Sequence, residues 1–87
     1  MITAVAIRFR GKVWSLPAPA RHHHVIELIV KETGVDHVQA PEDDQGFLDD
    51  RGIYYRRRPA LAHALRCEQV KDPSKVLHGK LFSEDVW

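Results

Sequence analysis

The chain of 87 residues is short enough for a single domain, and a second one is not expected. Its 13 basic and 12 acidic side chains give a net charge of +1, which excludes a generally basic nucleic-acid coat and an acidic mimic of DNA. No apolar stretch approaches the ~20 residues of a membrane span, and we expect no signal peptide. Cys67 is the single cysteine, so we expect no intramolecular disulfide and a cytoplasmic location.

A β-hairpin is predicted at the start of the chain. Residues 2–9 place Thr3, Val5, Ile7 and Phe9 on one face, which is typical of a strand with a core side. A two-residue turn is predicted at 10–11, and residues 12–16 return as the second strand. The prolines at 17 and 19 then end that strand.

Two helices and further short strands are predicted in the rest of the chain. The first helix is expected from about Ala20 to Thr33, with Gly34 as its C-terminal cap. Residues 35–38 are predicted as a short strand, and two more strands, 45–48 and 53–55, flank a turn. Pro59 suits the first turn of a second helix, expected from Ala60 to residue 67 or 68.

This order of elements predicts an α+β fold, with a small antiparallel sheet of about four to five strands and two helices packed on one face. Residues 1–87 are expected to form one domain in which residues 72–87 are an extended C-terminal tail. Leu81, Phe82, Val86 and Trp87 make this tail unusually apolar. Because exposed apolar chain ends are avoided, we expect burial on the same subunit or, by preference, against a neighbour, and predict a homodimer.

The segment Arg21-His22-His23-His24 lies at the predicted start of the first helix, where free N–H groups and the helix dipole favour an anion. Arg21 adds a planar cation suited to phosphate, and His24 is a further candidate contact. The dipole disfavours imidazolium, so His22 and His23 are predicted to be neutral and able to exchange a proton. The alternative interpretation is a set of exposed first-turn residues without a functional role.

A metal site is a third interpretation of the histidines, but their spacing argues against it. Neither an H-x₃-H pair nor a pair of cysteines is present. Further ligands would have to come from His37, His63 or His78. We therefore expect no metal and no cofactor.

A second candidate site is the run Arg56-Arg57-Arg58 before the second helix. Cations at a helix N-terminus suit phosphate and do not suit the helix itself. Arg57 is thus a candidate phosphate ligand, while an equal alternative is an ion-paired surface facing the acidic run 42–50. Trp14 and Tyr54 are candidates for stacking on a base, although such aromatic residues more often belong to a core.

With these residues in view, the chain resembles a family of small proteins encoded by tailed phages and prophages, over nearly its whole length. The resemblance rests on residues 11–17, on Arg21-His22-His23 with Val25-Ile26, on the segment 45–48 and on the closing segment 81–87. The chain departs from the family pattern at Arg56, His63 and Glu68, so only Arg57 of the arginine run is expected to carry a family role. The resemblance implies a cytoplasmic, phage-encoded accessory protein, and proteins of this size and origin often counter bacterial defence.

The leading functional hypothesis is an anti-defence protein that binds a phosphate-bearing ligand, with an immune signalling nucleotide as the favoured class. It would either sequester or cleave this ligand between the two helix starts. If it is an enzyme, it is a metal-independent phosphodiesterase in which one histidine accepts the 2′-hydroxyl proton and another protonates the leaving oxygen. The alternative is an inhibitor or adaptor that binds a host protein through the acidic loop and the apolar tail. No membrane and no duplex nucleic acid is expected as a partner.

Overall fold

A computed structural model describes residues 1–76 and 79–87 of the chain. Its elements confirm the predicted α+β fold. In chain order they are β1 (Ile2–Phe9), β2 (Lys12–Pro17), α1 (His22–Thr33), β3 (Gln45–Asp49), β4 (Tyr54–Arg56) and α2 (Arg57–Arg66). Short 3₁₀ turns lie at Glu42–Asp44, Pro73–Lys75 and Ser83–Asp85.

The sheet is antiparallel throughout, with the strand order β2-β1-β3-β4. Val5 pairs with Leu16 on one side and with Phe47 on the other. Val5 and Ile7 are fully buried in the core as predicted, but Ile2 lies in the core too, and Ala4 and Ala6 are also buried, so burial does not alternate along β1. The predicted turn between β1 and β2 is also confirmed. Arg10 and Gly11 both have positive φ, 52° and 75°, which is the geometry of a type I′ hairpin.

Both helices pack on the same face of the sheet. α1 buries Val25 and Ile29, and α2 buries Ala60 and Ala64, all within one cluster that includes Val5. This arrangement brings the two helix N-termini toward the same strand, β3. Within residues 1–76 and 79–87, no helix is both long and apolar enough to cross a membrane.

The ends of α1 follow its capping residues. Gly34 closes the helix in the left-handed conformation, as predicted, and its N–H donates to the carbonyl of Val30 at 2.9 Å. The predicted start at Ala20 is wrong, because Arg21 is still extended and the helix begins at His22. The predicted strand over 35–38 is also wrong: the segment has no strand structure, and Val38 fills the core from a loop.

The second helix begins earlier than predicted, at Arg57 rather than Ala60. Pro59 is therefore its third residue. The N–H groups of the first helical turn have no intrahelical acceptor, so a proline there costs no hydrogen bond. As a result, Arg57 and Arg58 belong to the first turn of α2, and only Arg56, the last residue of β4, precedes it.

The end of the chain packs against its own core. Leu81 is fully buried, and Trp87 places its ring edge-on to Phe47, with 6.4 Å between the ring centroids. The indole Nε1 of Trp87 also donates to the carbonyl of Ala20 at 2.8 Å. Burial in the tail is therefore confirmed for Leu81, while Val86 and Trp87 are half-buried against the core and Phe82 remains exposed. Because the tail packs within its own chain, its apolar residues do not require a second subunit. The homodimer remains a prediction.

Candidate anion-binding pocket

The two helices begin beside consecutive residues of β3. His22, the first residue of α1, has its Nε2 atom 2.8 Å from the carbonyl oxygen of Gly46. Arg57, the first residue of α2, donates from Nη2 to Oε1 of Gln45 at 3.2 Å. The side chains that open the helices are thus joined through one short stretch of strand.

His22 is a partly buried, neutral side chain. Its ring lies edge-on to Phe47, with 5.1 Å between the centroids. Because a carbonyl oxygen only accepts, Nε2 must carry the proton that is donated to Gly46. Burial lowers the pKa of His22 to about 4, and the charge of Arg57 adds to this, against the opposing effects of the Gly46 carbonyl and of Glu84. A neutral histidine was predicted here, although from the helix dipole and not from burial.

The other two histidines occupy different environments. His24 accepts a hydrogen bond at Nδ1 from the backbone N–H of Arg21, at 2.8 Å. This is the position from which a Glu or Gln commonly reaches back to cap a helix, so His24 stabilises the start of α1. His23 is exposed, with its ring centroid 4.1 Å from that of His24. Sequence reasoning missed the capping role, for which the third helical position was the available signal.

Arg57 is a buried cation that is bound by neutral acceptors. It is 8% exposed, and its Nη1 atom donates to the carbonyl of Leu81 at 2.9 Å, in addition to the bond to Gln45. Among the described residues, no carboxylate lies within ion-pair distance of its guanidinium. Burial lowers the pKa of Arg57, and Glu42 and Glu84 oppose this effect from further away. Buried charges are usually paired, so the positive charge of Arg57 is poorly compensated.

A pocket of about 180 Å³ opens at the start of α2, and we call it the α2 pocket. Four of its lining residues are cationic and two are acidic. They are Glu42, Asp43, Arg56, Arg57, Arg58, Pro59 and Lys80. Positive charge at the N-terminus of a helix is a favourable environment for an anion.

Lys80 lines this pocket, and its neighbours in the segment 79–82 contact the arginines of the lining. A Cβ atom built on Gly79 would lie 3.2 Å from Nη1 of Arg58. Lys80 forms an ion pair with Glu42, with 2.5 Å between Nζ and Oε1, and this contact lowers the pKa of Glu42. The backbone N–H of Leu81 donates to the carbonyl of Arg57 at 3.0 Å. No local pattern in the sequence indicates that Lys80 belongs to this site, because the contacts are long-range.

Trp14 and Arg21, both predicted to bind the ligand, lie outside the lining of the α2 pocket as far as the structure describes it. Trp14 lies on the core side of the edge strand β2, and the Nζ atom of Lys12 lies 4.1 Å from its ring centroid. The Nε1 atom of Trp14 and the Nη1 atom of Arg21 are buried donors with no acceptor among the described residues. Buried donors usually have a hydrogen-bond partner, so these two N–H groups are exceptions among the described residues.

Tyr54 lies on the opposite face of the sheet. Its ring covers Gly46, where a Cβ would lie 2.8 Å from the phenol, and its hydroxyl donates to the carbonyl of Asp43 at 3.1 Å. The guanidinium of Arg8 lies on the same ring, 4.6 Å from the centroid. Tyr54 therefore holds the backbone of Asp43, a residue of the pocket lining, through a hydrogen bond. Tyr54 itself is not among the described residues that line the α2 pocket.

Much of the acidic run is used within the chain. The side chain of Asp49 is fully buried and accepts hydrogen bonds from the N–H groups of Arg51 and Ile53 and from the hydroxyl of Tyr55, at 2.9, 3.0 and 2.9 Å. Burial alone would raise its pKa, but these hydrogen bonds outweigh burial and lower the pKa to about 2. Asp49 thus fixes the predicted turn before β4.

The structure brings no metal-binding set together among residues 1–76 and 79–87, where no group of three or more His, Cys, Asp or Glu side chains could hold an ion. His78 lies outside the described residues. A second, open depression runs beside the start of α1, and Leu16, Pro17, Pro19 and Leu28 contribute to its mainly apolar lining. His24 also lines it, but an apolar surface suits phosphate less well than the α2 pocket does.

The fold and site define a small α+β domain with a basic pocket at the junction of a helix start and the C-terminal segment. The chain belongs to the phage T4 y16D protein family, whose model matches residues 1–87. This match confirms the expected membership of a phage protein family. No curated protein and no solved structure matches the chain significantly.

Proposed function

We propose that this phage protein binds a phosphate-bearing ligand in the α2 pocket, and that it counters bacterial defence by sequestering a signalling nucleotide. The observation that carries the proposal is Arg57, a buried guanidinium without a carboxylate partner among the described residues. A phosphate in the pocket would supply the missing negative charge. The anti-defence part is an expectation for small phage-encoded accessory proteins, and the family match shows only that the chain belongs to a phage protein family.

The donor set of the pocket suits phosphate. A guanidinium has more N–H donors than the two that Arg57 uses toward Leu81 and Gln45, and its planar geometry matches phosphate oxygens. Arg56 and Arg58 add positive charge around it, while the charge of Lys80 is paired with Glu42. Because protein acceptors already hold Arg57 in place, little side-chain freedom would be lost on binding.

The arrangement supports sequestration more than cleavage. A histidine-based phosphodiesterase would need two histidines at the ligand, and no histidine lines the α2 pocket among the described residues. The Nε2–H of His22 is engaged by Gly46, and His23 points to solvent. If the nucleotide is cleaved, the product should appear with wild-type protein and disappear with His22→Gln or His23→Ala.

Binding to a host protein, the alternative function, has less support from the contacts. Leu81 and Trp87 of the apolar tail pack on the core of the same chain. In the acidic loop, Glu42 is paired with Lys80 and Asp44 with Arg8. The surface that this hypothesis requires is therefore largely occupied.

A thermal-shift panel of inorganic pyrophosphate and cyclic dinucleotides tests the proposal. A ligand at 100 times its Kd stabilises the fold by about 2.7 kcal/mol, which is several degrees for a domain of this size. Arg58→Gln should reduce the shift. The matched control is Arg66→Gln, which removes an exposed arginine at the other end of α2 and should leave the shift unchanged. Absence of a shift with every ligand, or an equal loss in both variants, would overturn the proposal.

A further inference from the structure

We infer that Phe82 stacks on an aromatic ring of the ligand, so that the ligand is a nucleoside phosphate with its phosphates in the α2 pocket and its base on the Phe82 ring. This inference rests on the proposed function. Phe82 is 39% exposed, although the residues on either side of it, Leu81 and Ser83, are buried. Its ring lies against the guanidinium of Arg57, with 4.6 Å from Cζ to the ring centroid.

The size of the pocket divides the ligand into two parts. At about 180 Å³ it is smaller than the roughly 300–1,000 Å³ that enclose a drug-sized ligand. It can therefore hold the phosphates, while the rest of a nucleotide must lie at the rim. Phe82 does not itself line the pocket, but it lies next to it, because its ring contacts Arg57 and it follows Lys80 by two residues, and both of these line the pocket.

The position of Phe82 is fixed before any ligand binds. Its backbone N–H donates to Oδ2 of Asp85 at 2.9 Å, and the preceding residue, Leu81, is bonded to Arg57. A ring held in this way can stack on a base. The guanidinium of Arg57 is attracted to one face of the ring and so helps to hold it in place. Trp14 and Tyr54, the candidates from sequence, also have a cation on their rings, but these cations, Lys12 and Arg8, are not among the residues that line the α2 pocket, whereas Arg57 is.

Isothermal titration with two probes that share a diphosphate tests the inference: adenosine 5′-diphosphate and inorganic pyrophosphate. In the wild type, the nucleotide should bind about tenfold more tightly than pyrophosphate, as base stacking on an aromatic side chain predicts. Phe82→Leu should abolish this difference, and because the ring also contacts Arg57, the ratio of the two affinities within each protein is compared rather than pyrophosphate binding alone. Phe9→Leu is the matched control, since Phe9 is a part-exposed ring with an arginine, Arg10, at 4.9 Å from its centroid.

The outcomes separate the two proposals. Equal binding of both probes to the wild type, or a preference for the nucleotide that survives in Phe82→Leu, overturns the stacking role and leaves the phosphate pocket intact. A preference lost to the same extent in Phe9→Leu also overturns it. If neither probe binds, the proposed function fails, and this inference fails with it.

Discussion

Arg57 and Leu81 are joined by two hydrogen bonds that run in opposite directions. The backbone N–H of Leu81 donates to the carbonyl of Arg57 at 3.0 Å, and Nη1 of Arg57 donates to the carbonyl of Leu81 at 2.9 Å. This pair connects the start of α2 to a segment 24 residues further along the chain. The contact that anchors the tail therefore also orients the buried guanidinium, so tail packing and ligand binding should be coupled.

Replacing Leu81 by Ala should strongly destabilise the fold. The side chain is fully buried in the central cluster, and leucine-to-alanine changes at such sites cost about 2–5 kcal/mol. Leu65→Ala is the matched control, because Leu65 is 45% exposed and its loss should change the free energy of unfolding by less than about 0.5 kcal/mol. Urea unfolding of both variants gives the comparison, and similar costs would contradict the packing described here.

A chain that ends at Lys80 should melt at a lower temperature than the full-length protein while keeping the same oligomeric state. The physical reason is that Leu81 is fully buried and Trp87 half-buried against the core of the same chain. Calorimetry measures the first quantity and sedimentation the second. A smaller number of subunits in the truncated protein would instead assign the tail to a subunit interface. An unchanged melting temperature would show that the packing of the tail does not contribute to stability.

The pH dependence of stability should carry the signature of His22. Its pKa is about 4 in the folded chain against 6.5 for an ordinary histidine, so between these values the unfolded chain binds more protons. Stability from this group is therefore fully present above about pH 6.5 and is lost as the pH falls toward 4. The full effect is about 3 kcal/mol.

The variant His22→Gln isolates this effect, because glutamine can still donate to Gly46 but does not titrate. Unfolding free energies measured from pH 7.5 to 4.5 should fall less steeply in the variant than in the wild type. Profiles of equal slope would show that His22 is not a buried neutral group.

Replacing His24 by Ala should weaken the start of α1. The change removes the acceptor of the Arg21 N–H bond, and loss of a helix cap costs about 0.5–2 kcal/mol. His23→Ala is the internal control, since His23 is exposed on the same turn and its replacement should be nearly neutral. Equal stabilities of the two variants in chemical denaturation would contradict the capping role.

Local patterns were sufficient to predict most of the fold. The strand β1, the tight turn at Gly11 and the cap at Gly34 depend on neighbouring residues, and the structure confirms all three, although burial along β1 does not alternate as predicted. Val38 shows the limit of such patterns. An apolar residue in a short run satisfies a strand pattern equally well when tertiary packing places it in the core from a loop.

The candidate site could be predicted only in part, because its geometry depends on distant contacts. Arg57 was identified from its place at the start of a predicted helix. That its guanidinium is bonded to the carbonyl of Leu81 and not to a carboxylate, among the described residues, depends on the packing of the distant segment 79–82. Lys80 and Phe82 join the site through the same segment. For the histidines, sequence reasoning could place them at a helix start but could not tell which would be buried, capping or exposed.

The most direct test of the central claim is a titration of wild-type protein and Arg57→Lys with inorganic pyrophosphate, followed by calorimetry. Lysine keeps the charge but loses the planar fork of donors, so binding should be weakened about tenfold or more, provided that circular dichroism shows an intact fold. Arg10→Lys, at the exposed hairpin turn, should bind as the wild type does. Wild-type binding that Arg57→Lys leaves unchanged, or no binding at all, would contradict the assignment of the α2 pocket as an anion site.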